Sequence, residues 1–223
     1  MTNTINELEE AQVILVSGSN TTATHPQVAR RIFDAVDRGA KLIVIDPRKT
    51  KIARHAHIHL QIRPGTDIPL LNAIMRCILD ENLIDDLFIE MRTENYPAMC
   101  DLLRQVNLNR SAEITGVAAD DIARAARMYA GAQRSTICYC LGVTQHTCGT
   151  ANVKSYANLA MLTGHVEQEF TGVDPCAVNI TSRGPATWEH CPEFFLVIRP
   201  LPILKSGENS RRPGAVHSRK TQA

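Results

Sequence analysis

The sequence has no apolar run approaching the ~20 residues that span a bilayer, so no transmembrane helix is expected anywhere along its 223 residues. It has no charge excess either. Its 24 Lys and Arg nearly balance 23 Asp and Glu, which removes the electrostatic reason to expect nucleic acid or an anionic membrane as a partner. None of the seven cysteines (Cys77, Cys100, Cys138, Cys140, Cys148, Cys176 and Cys191) stands in a C-x-x-C pair, so zinc-ribbon and iron–sulfur spacings are absent. Their odd number and irregular spacing also argue against a disulfide framework, leaving reduced, mostly buried thiols as the expectation. No G-x-G-x-x-G follows the first apolar run, which disfavours an ordinary nicotinamide site. The opening MTNTINELEEAQ is polar and acidic and lacks the basic-then-apolar pattern of a secretory signal, so a cytoplasmic protein is expected.

What is present suits a buried core. The apolar share is 44%, ordinary for a globular chain. Gln12 to Ser17 (QVILVS) is nearly continuous apolar sequence ending at Gly18, as expected of a strand buried on both faces. His25-Pro26 opens a helical stretch with Val28, Ile32 and Val36 on one face and Gly39 as its stop. Lys41 to Ile45 (KLIVI) is a second buried strand, so strand–helix–strand order predicts a parallel pair with a right-handed crossover. Ile58 to Ile62 offers a third strand. Helices are predicted from Asp67, taken as cap with Pro69 in the first turn, over Ile84 to Met91, Ala98 to Val106 and Ala119 to Ala130, and over Val153 to Leu162. Ser135 to Leu141 reads as a further strand. The expected class is α/β and Rossmann-like, a mostly parallel sheet flanked by helices. After Pro175 periodicity disappears, and the end of the chain has the composition of a disordered tail.

In parallel α/β sheets, ligands bind beyond the carboxyl ends of the strands. Three such ends carry polar loops: GSNTTATHP (Gly18 to Pro26), DPRKT (Asp46 to Thr50) and LGVTQHTCGT (Leu141 to Thr150). A fourth, RPGTD (Arg63 to Asp67), precedes a helix. Small residues in the first permit close approach. Asp46 suits a ribose or a guanine edge, and Arg48 suits phosphate. Taken singly, Asp46-Pro47 is equally explained as turn chemistry; taken together, the loops sit where one nucleotide-like ligand touches all four. His55, His57 and His59 alternate and would share a strand face, a zinc or copper arrangement. No carboxylate or thiolate is nearby in sequence, and a partly solvated edge is the preferred reading. His146 is a candidate acid–base group without an identifiable partner.

The segments VILVSGSNTTATHP, GAKLIVIDPRKTKIARHAHIHLQIRPGTDIPLLNAI, EITGVAADDIARAARMYA and LGVTQHTCGTANVKSYANLAMLTGHV resemble, in order, the catalytic subunit of formate dehydrogenases. These are bis-molybdopterin guanine dinucleotide oxidoreductases. The resemblance runs from about Met1 to Pro175. It implies that Gly18 and Asn20, then Asp46, Pro47 and Arg48, then Gly65, Thr66 and Asp67, and finally Leu141, Gly142 and Gln145 line a guanine dinucleotide arm of the cofactor. Ala23 stands where the family often has an acid. The family's cysteine cluster for a [4Fe–4S] centre has no counterpart here, nor does the segment whose cysteine or selenocysteine ligates molybdenum or tungsten. On this resemblance the chain is expected to be an internal fragment, inactive alone, whose partners are the cofactor and the subunit's missing N- and C-terminal parts. A nitrate reductase or a non-catalytic nucleotide-binding module are the alternatives.

After TGVDP the resemblance predicts something like LRGQNNVQGACDMGALP, whereas the chain reads CAVNITSRGPATWEHCPEFF. Codons exist for Cys176 to Pro200 that, read one base earlier, spell LRGQYNVQGPCDMGALPGIFPGYPA. Residues from Cys176 onward are therefore expected to be out-of-frame translation, and Arg183 is not to be equated with the family's LRGQ arginine. Sequencing the genomic locus tests this expectation: an LRGQ-like reading in the shifted frame is the expected result, and its absence would refute the frame shift.

Overall fold

The computed structural model describes residues 4–166, 168–176 and 197–198. After a 3-10 turn at Ile5–Glu10, strand β1 (Val13–Ser17) leads through the short α1 (Thr21–Thr24) and α2 (Pro26–Asp37) to β2 (Lys41–Ile45) and β3 (Ile58–Leu60). A helical run follows: α3 (Asp67–Asp80), α4 (Asp86–Arg92), the two-residue β4 (Thr93–Glu94), α5 (Tyr96–Arg104), α6 (Leu108–Thr115) and α7 (Ala119–Ala130). The chain then re-enters the sheet as β5 (Ser135–Tyr139), passes through α8 (Leu141–Thr144) and α9 (Gly149–Leu162), and ends at the edge strand β6 (Gly172–Pro175). A two-residue β7 (Val197–Ile198) pairs antiparallel with β4.

The main sheet has the order β3-β2-β1-β5-β6, and every pairing in it is parallel. Its apolar runs are buried on both faces, as a parallel sheet between two helix layers requires. Val13, Leu15, Ile43, Ile45, Ile137 and Tyr139 point into one core with α3, α7 and α9. Ile14, Val16, Leu42, Val44 and Cys138 point into the other, beneath α2 and the opening 3-10 turn. The polar opening sequence is thus part of the fold. Leu8 is buried in the second core, and Glu9 is clamped by Arg31 and Arg38 of the α2 region, which hold its carboxyl below the usual range.

Several expectations shift by a few residues for physical reasons. Asp67 is the first helical residue of α3 and Thr66 occupies the cap position, without capping through its side chain; its hydroxyl instead donates to the Arg63 carbonyl at 2.7 Å. Strand β5 stops at Tyr139, and Leu141 opens α8, because the chain must turn to bring Gly142 onto Gly18. Several short elements carried too little periodicity to be read, among them the opening 3-10 turn, α1, a second 3-10 turn at Ile52–His55, the two-residue β4, α6, α8 and β6. Of the region expected to be a disordered tail, only Cys176 and Val197–Ile198 are among the described residues. Cys176 continues the edge pairing, donating its N–H to the Tyr139 carbonyl at 2.7 Å.

From β1 the chain moves outward to β2 and β3, then returns to place β5 on the other side of β1. The sheet therefore reverses winding between β1 and β5, the switch point where such sheets open a ligand crevice. There Gly142 N–H donates to the Gly18 carbonyl at 3.0 Å. Gly18 has φ +54°, and a Cβ on it would lie 2.7 Å from the Gly142 carbonyl carbon and the Val143 nitrogen. A Cβ on Gly142 would lie 2.5 Å from the Gly18 oxygen. Both obstacles are backbone, so neither can rotate aside. Gly18→Ala is expected to lower stability by about 2–3 kcal/mol from strain and overpacking, read as a melting temperature several degrees lower. Gly39→Ala, whose Cβ would meet nothing within 4 Å, carries only the positive-φ penalty and should cost less.

Candidate functional site at the carboxyl edge

The four polar loops do gather on one edge. Gly18 and Asn20 follow β1, Asp46 to Arg48 follow β2, and Leu141, Gly142 and Gln145 follow β5. Gly65 to Asp67 follow β3 and lead into α3. The edge has a rigid, buried floor and an exposed rim.

Asp46 belongs to the floor. It is 2% exposed, and its Oδ1 accepts the Arg48 N–H at 2.8 Å, the turn-forming bond expected of Asp before Pro-Arg. The Arg48 guanidinium reaches back to the same oxygen at 3.5 Å but is itself 70% exposed, so its charge remains open to solvent. Two side chains of the β3 region hold the DPR turn from below. His59 Nε2 meets the Asp46 carbonyl at 3.0 Å, and Gln61 donates to the Pro47 carbonyl at 3.0 Å.

Asp67 is the second buried carboxylate, 4% exposed. Burial raises its pKa above the usual carboxylate range; His146 opposes that rise, and Asp46 adds slightly to it. Asp67 therefore feels both Asp46 and His146, although they lie 21 and 79 residues away in sequence. Beneath Asp67 lies a polar pair that sequence reading missed. The Ser17 and Tyr156 hydroxyls are 2.5 Å apart and buried, and the Tyr156 phenol is pushed upward by burial and then by Asp67. Tyr156 stacks on Tyr139 with ring centroids 6.1 Å apart, so the end of β1, the end of β5 and α9 are tied together under the crevice. The only sequence trace of this pair was a serine closing an otherwise apolar strand.

The third loop is pinned by its own side chains. His146 Nε2 meets the Gly142 carbonyl at 2.9 Å and carries the proton there, since a carbonyl only accepts. The buried Asn152 donates to the Val143 carbonyl at 3.0 Å. His146 is thus a loop-fixing residue in this geometry. Gly65 has φ +81° with open space where a Cβ would be. Leu141, Gly142 and Gln145 are exposed, and Asn20 is half-buried.

The three alternating histidines do not share a strand face. His55 ends a 3-10 turn and lies edge-on to Phe33 at 5.1 Å. His57 accepts the Leu42 N–H at 3.1 Å, and only His59 lies within β3. Among the described residues, no group of three or more His, Cys, Asp or Glu is arranged to hold a metal ion. No described helix is long and apolar enough to cross a membrane.

Residues 1–206 match the molybdopterin oxidoreductase family. The chain is 44% identical over 195 residues to the F420-dependent formate dehydrogenase subunit alpha of Methanocaldococcus jannaschii, covering 87% of this chain and 29% of that one. It is 33% identical over 190 residues to the assimilatory nitrate reductase catalytic subunit of Bacillus subtilis, covering 85% and 26%. Among solved structures, acetylene hydratase from Pelobacter acetylenicus is similar with a TM-score of 0.67 and 26% identity, over 72% of this chain and 24% of that one. The chain spans less than a third of the length of these relatives.

The raised pKa of Asp67 has a pH consequence. Its folded-state pKa lies above its unfolded value, so its unfavourable effect on stability grows as pH rises through the unfolded carboxylate range and is complete above the folded pKa. Asp67→Asn is therefore expected to raise the melting temperature at pH 7, with the gain vanishing below about pH 4, the ordinary aspartate range. A gain independent of pH would show that burial of the charge is not its cause.

Proposed function

We propose a function from one premise: the chain belongs to the molybdopterin oxidoreductase family. It is a portion of a formate dehydrogenase alpha subunit that forms one wall of the cofactor cleft. The parent oxidises formate to carbon dioxide, or runs the reverse, by two-electron transfer. The observation that carries the choice of substrate is the 44% identity to a formate dehydrogenase alpha subunit over 87% of the chain, against 33% for a nitrate reductase.

The carboxyl-edge crevice fits the guanine dinucleotide arm of molybdopterin guanine dinucleotide. A carboxylate such as Asp46 accepts N–H donors of a guanine edge or ribose hydroxyls, and its rigid DPR turn sets that direction in advance. Arg48 extends from the same turn to meet phosphate. Gly65 leaves open space where a Cβ would stand, and Gly18 and Gly142 let the two loops cross in contact, which fixes the wall. Asn20, Pro47, Thr66, Asp67, Leu141 and Gln145 complete the wall. When bound, the molybdopterin with its molybdenum or tungsten supplies the redox chemistry, and a [4Fe–4S] centre elsewhere in the parent relays electrons. The residues of this chain bind and orient; none is assigned a catalytic step.

A cleft assembled from several parts loses preorganisation when one part stands alone, so the chain by itself is proposed to bind the cofactor weakly and to turn over nothing. Its partners are the cofactor and the remaining parts of the subunit. A cytoplasmic setting belongs to the same reading, supported by six unpaired cysteines among the described residues. So does out-of-frame translation from Cys176. The family match continues to residue 206, and it is the locus sequence that decides this last part.

The test is a chimera in which residues 4–176 replace the matching segment of a formate dehydrogenase alpha subunit. Formate oxidation with retained cofactor is expected, and Asp46→Ala in the chimera should lower cofactor content. A chimera that loads cofactor, loses formate turnover and reduces nitrate would overturn the choice of substrate.

A further inference from the structure

At the amino edge of the sheet, away from the crevice just described, lies an open cavity of about 800 Å³, within the range of small-ligand sites. It is framed by the first turn of α4, the α7–β5 connection, and the segment between α9 and β6. Its inner wall holds His165, 4% exposed. The Nε2 of His165 is buried with no hydrogen-bond partner, and the ring lies edge-on to Tyr129, centroids 5.3 Å apart. Burial brings the pKa of the imidazole down to about 4, so at neutral pH Nε2 is a lone pair in need of a donor. A buried polar atom without a partner calls for an explanation, and none of the described neighbours provides one.

We propose that this cavity is a binding site for a small ligand with an apolar body and a cationic N–H head, an aromatic amidine or amine, whose head donates to His165 Nε2. Charge selects the head. Among the described residues, the lining carries the carboxylates of Asp85, Asp86 and Glu169 against one guanidinium, Arg134. That guanidinium already lies over the Phe170 ring, 5.4 Å from its centroid. Asp85 acts electrostatically on His165, so a cation beside Nε2 is favoured and an anion is not. Ile84 and Leu87 also line the cavity and offer apolar surface to the body, Leu87 being largely exposed without a ligand.

Benzamidine binding to the full chain, measured by calorimetry with benzoate as the same-shape anionic control, tests the proposal. Benzamidine is expected to bind at least about tenfold more tightly than benzoate, and to lose about tenfold in His165→Phe, the loss of one charge-assisted hydrogen bond. If His165→Phe does not fold, the exposed double variant Asp86→Asn, Glu169→Gln must weaken benzamidine and bring the two probes together. Equal binding of benzamidine and benzoate, or benzamidine binding that leaves the His165 ring signals unmoved by NMR, would overturn it, as would no binding of either.

Discussion

The backbone contact between Gly18 and Gly142 is the constraint on which the rest of this edge depends. In the parallel sheet β1 and β5 are neighbours, but their exits must diverge, one toward α2 and one toward α9. The two chains cross so closely that a single Cβ on either side would strike the other's backbone. Because peptide groups cannot rotate out of the way, the two loops hold a fixed relation. Every residue placed on the crevice by those loops inherits that relation.

Beneath the contact, polar groups are buried together rather than separately. Ser17, Tyr156 and Asp67 come from a strand end and the two helices α9 and α3, and each alone would be costly in an apolar core. The hydroxyl pair satisfies itself. Asp67 keeps an unfavourable burial that the fold does not fully relieve. A buried carboxylate destabilising to its own fold accords with the binding role proposed for this edge. The identity of the ligand still rests on family membership and not on charge or shape alone, since relatives of this fold include a hydratase by name. Fold and site chemistry are separable.

The two edges of the sheet are different environments. At the carboxyl edge, loops are pinned by side chain to backbone bonds from His59, Gln61, His146 and Asn152, giving a preset polar wall. At the amino edge, the cavity is lined by short connections carrying more carboxylates than cations, and its inner imidazole is neutral. The nucleotide arm proposed above belongs to the first environment, and the proposed cationic donor to the second.

Apolar patterning was enough to give the class of fold and the edge on which the polar loops gather. Continuous apolar runs such as KLIVI can be buried only between two layers, and parallel strands can be joined only by crossovers, so the polar loops at Gly18, Asp46, Arg63 and Leu141 had to share one edge. The tertiary structure alone decided which groups meet there. The Tyr156–Ser17 pair, the coupling of Asp67 to His146, and the dispersal of His55, His57 and His59 onto three different environments depend on helix rotation and on where each strand stops. The same holds for the opening residues: INELEE is polar and acidic in sequence, and only Arg31 of α2 and Arg38 just after it make it a cover on the second core. Periodicity reports which face of an element is buried. It carries no information about what that face will touch, because long-range partners are set by packing across the chain rather than by neighbours along it.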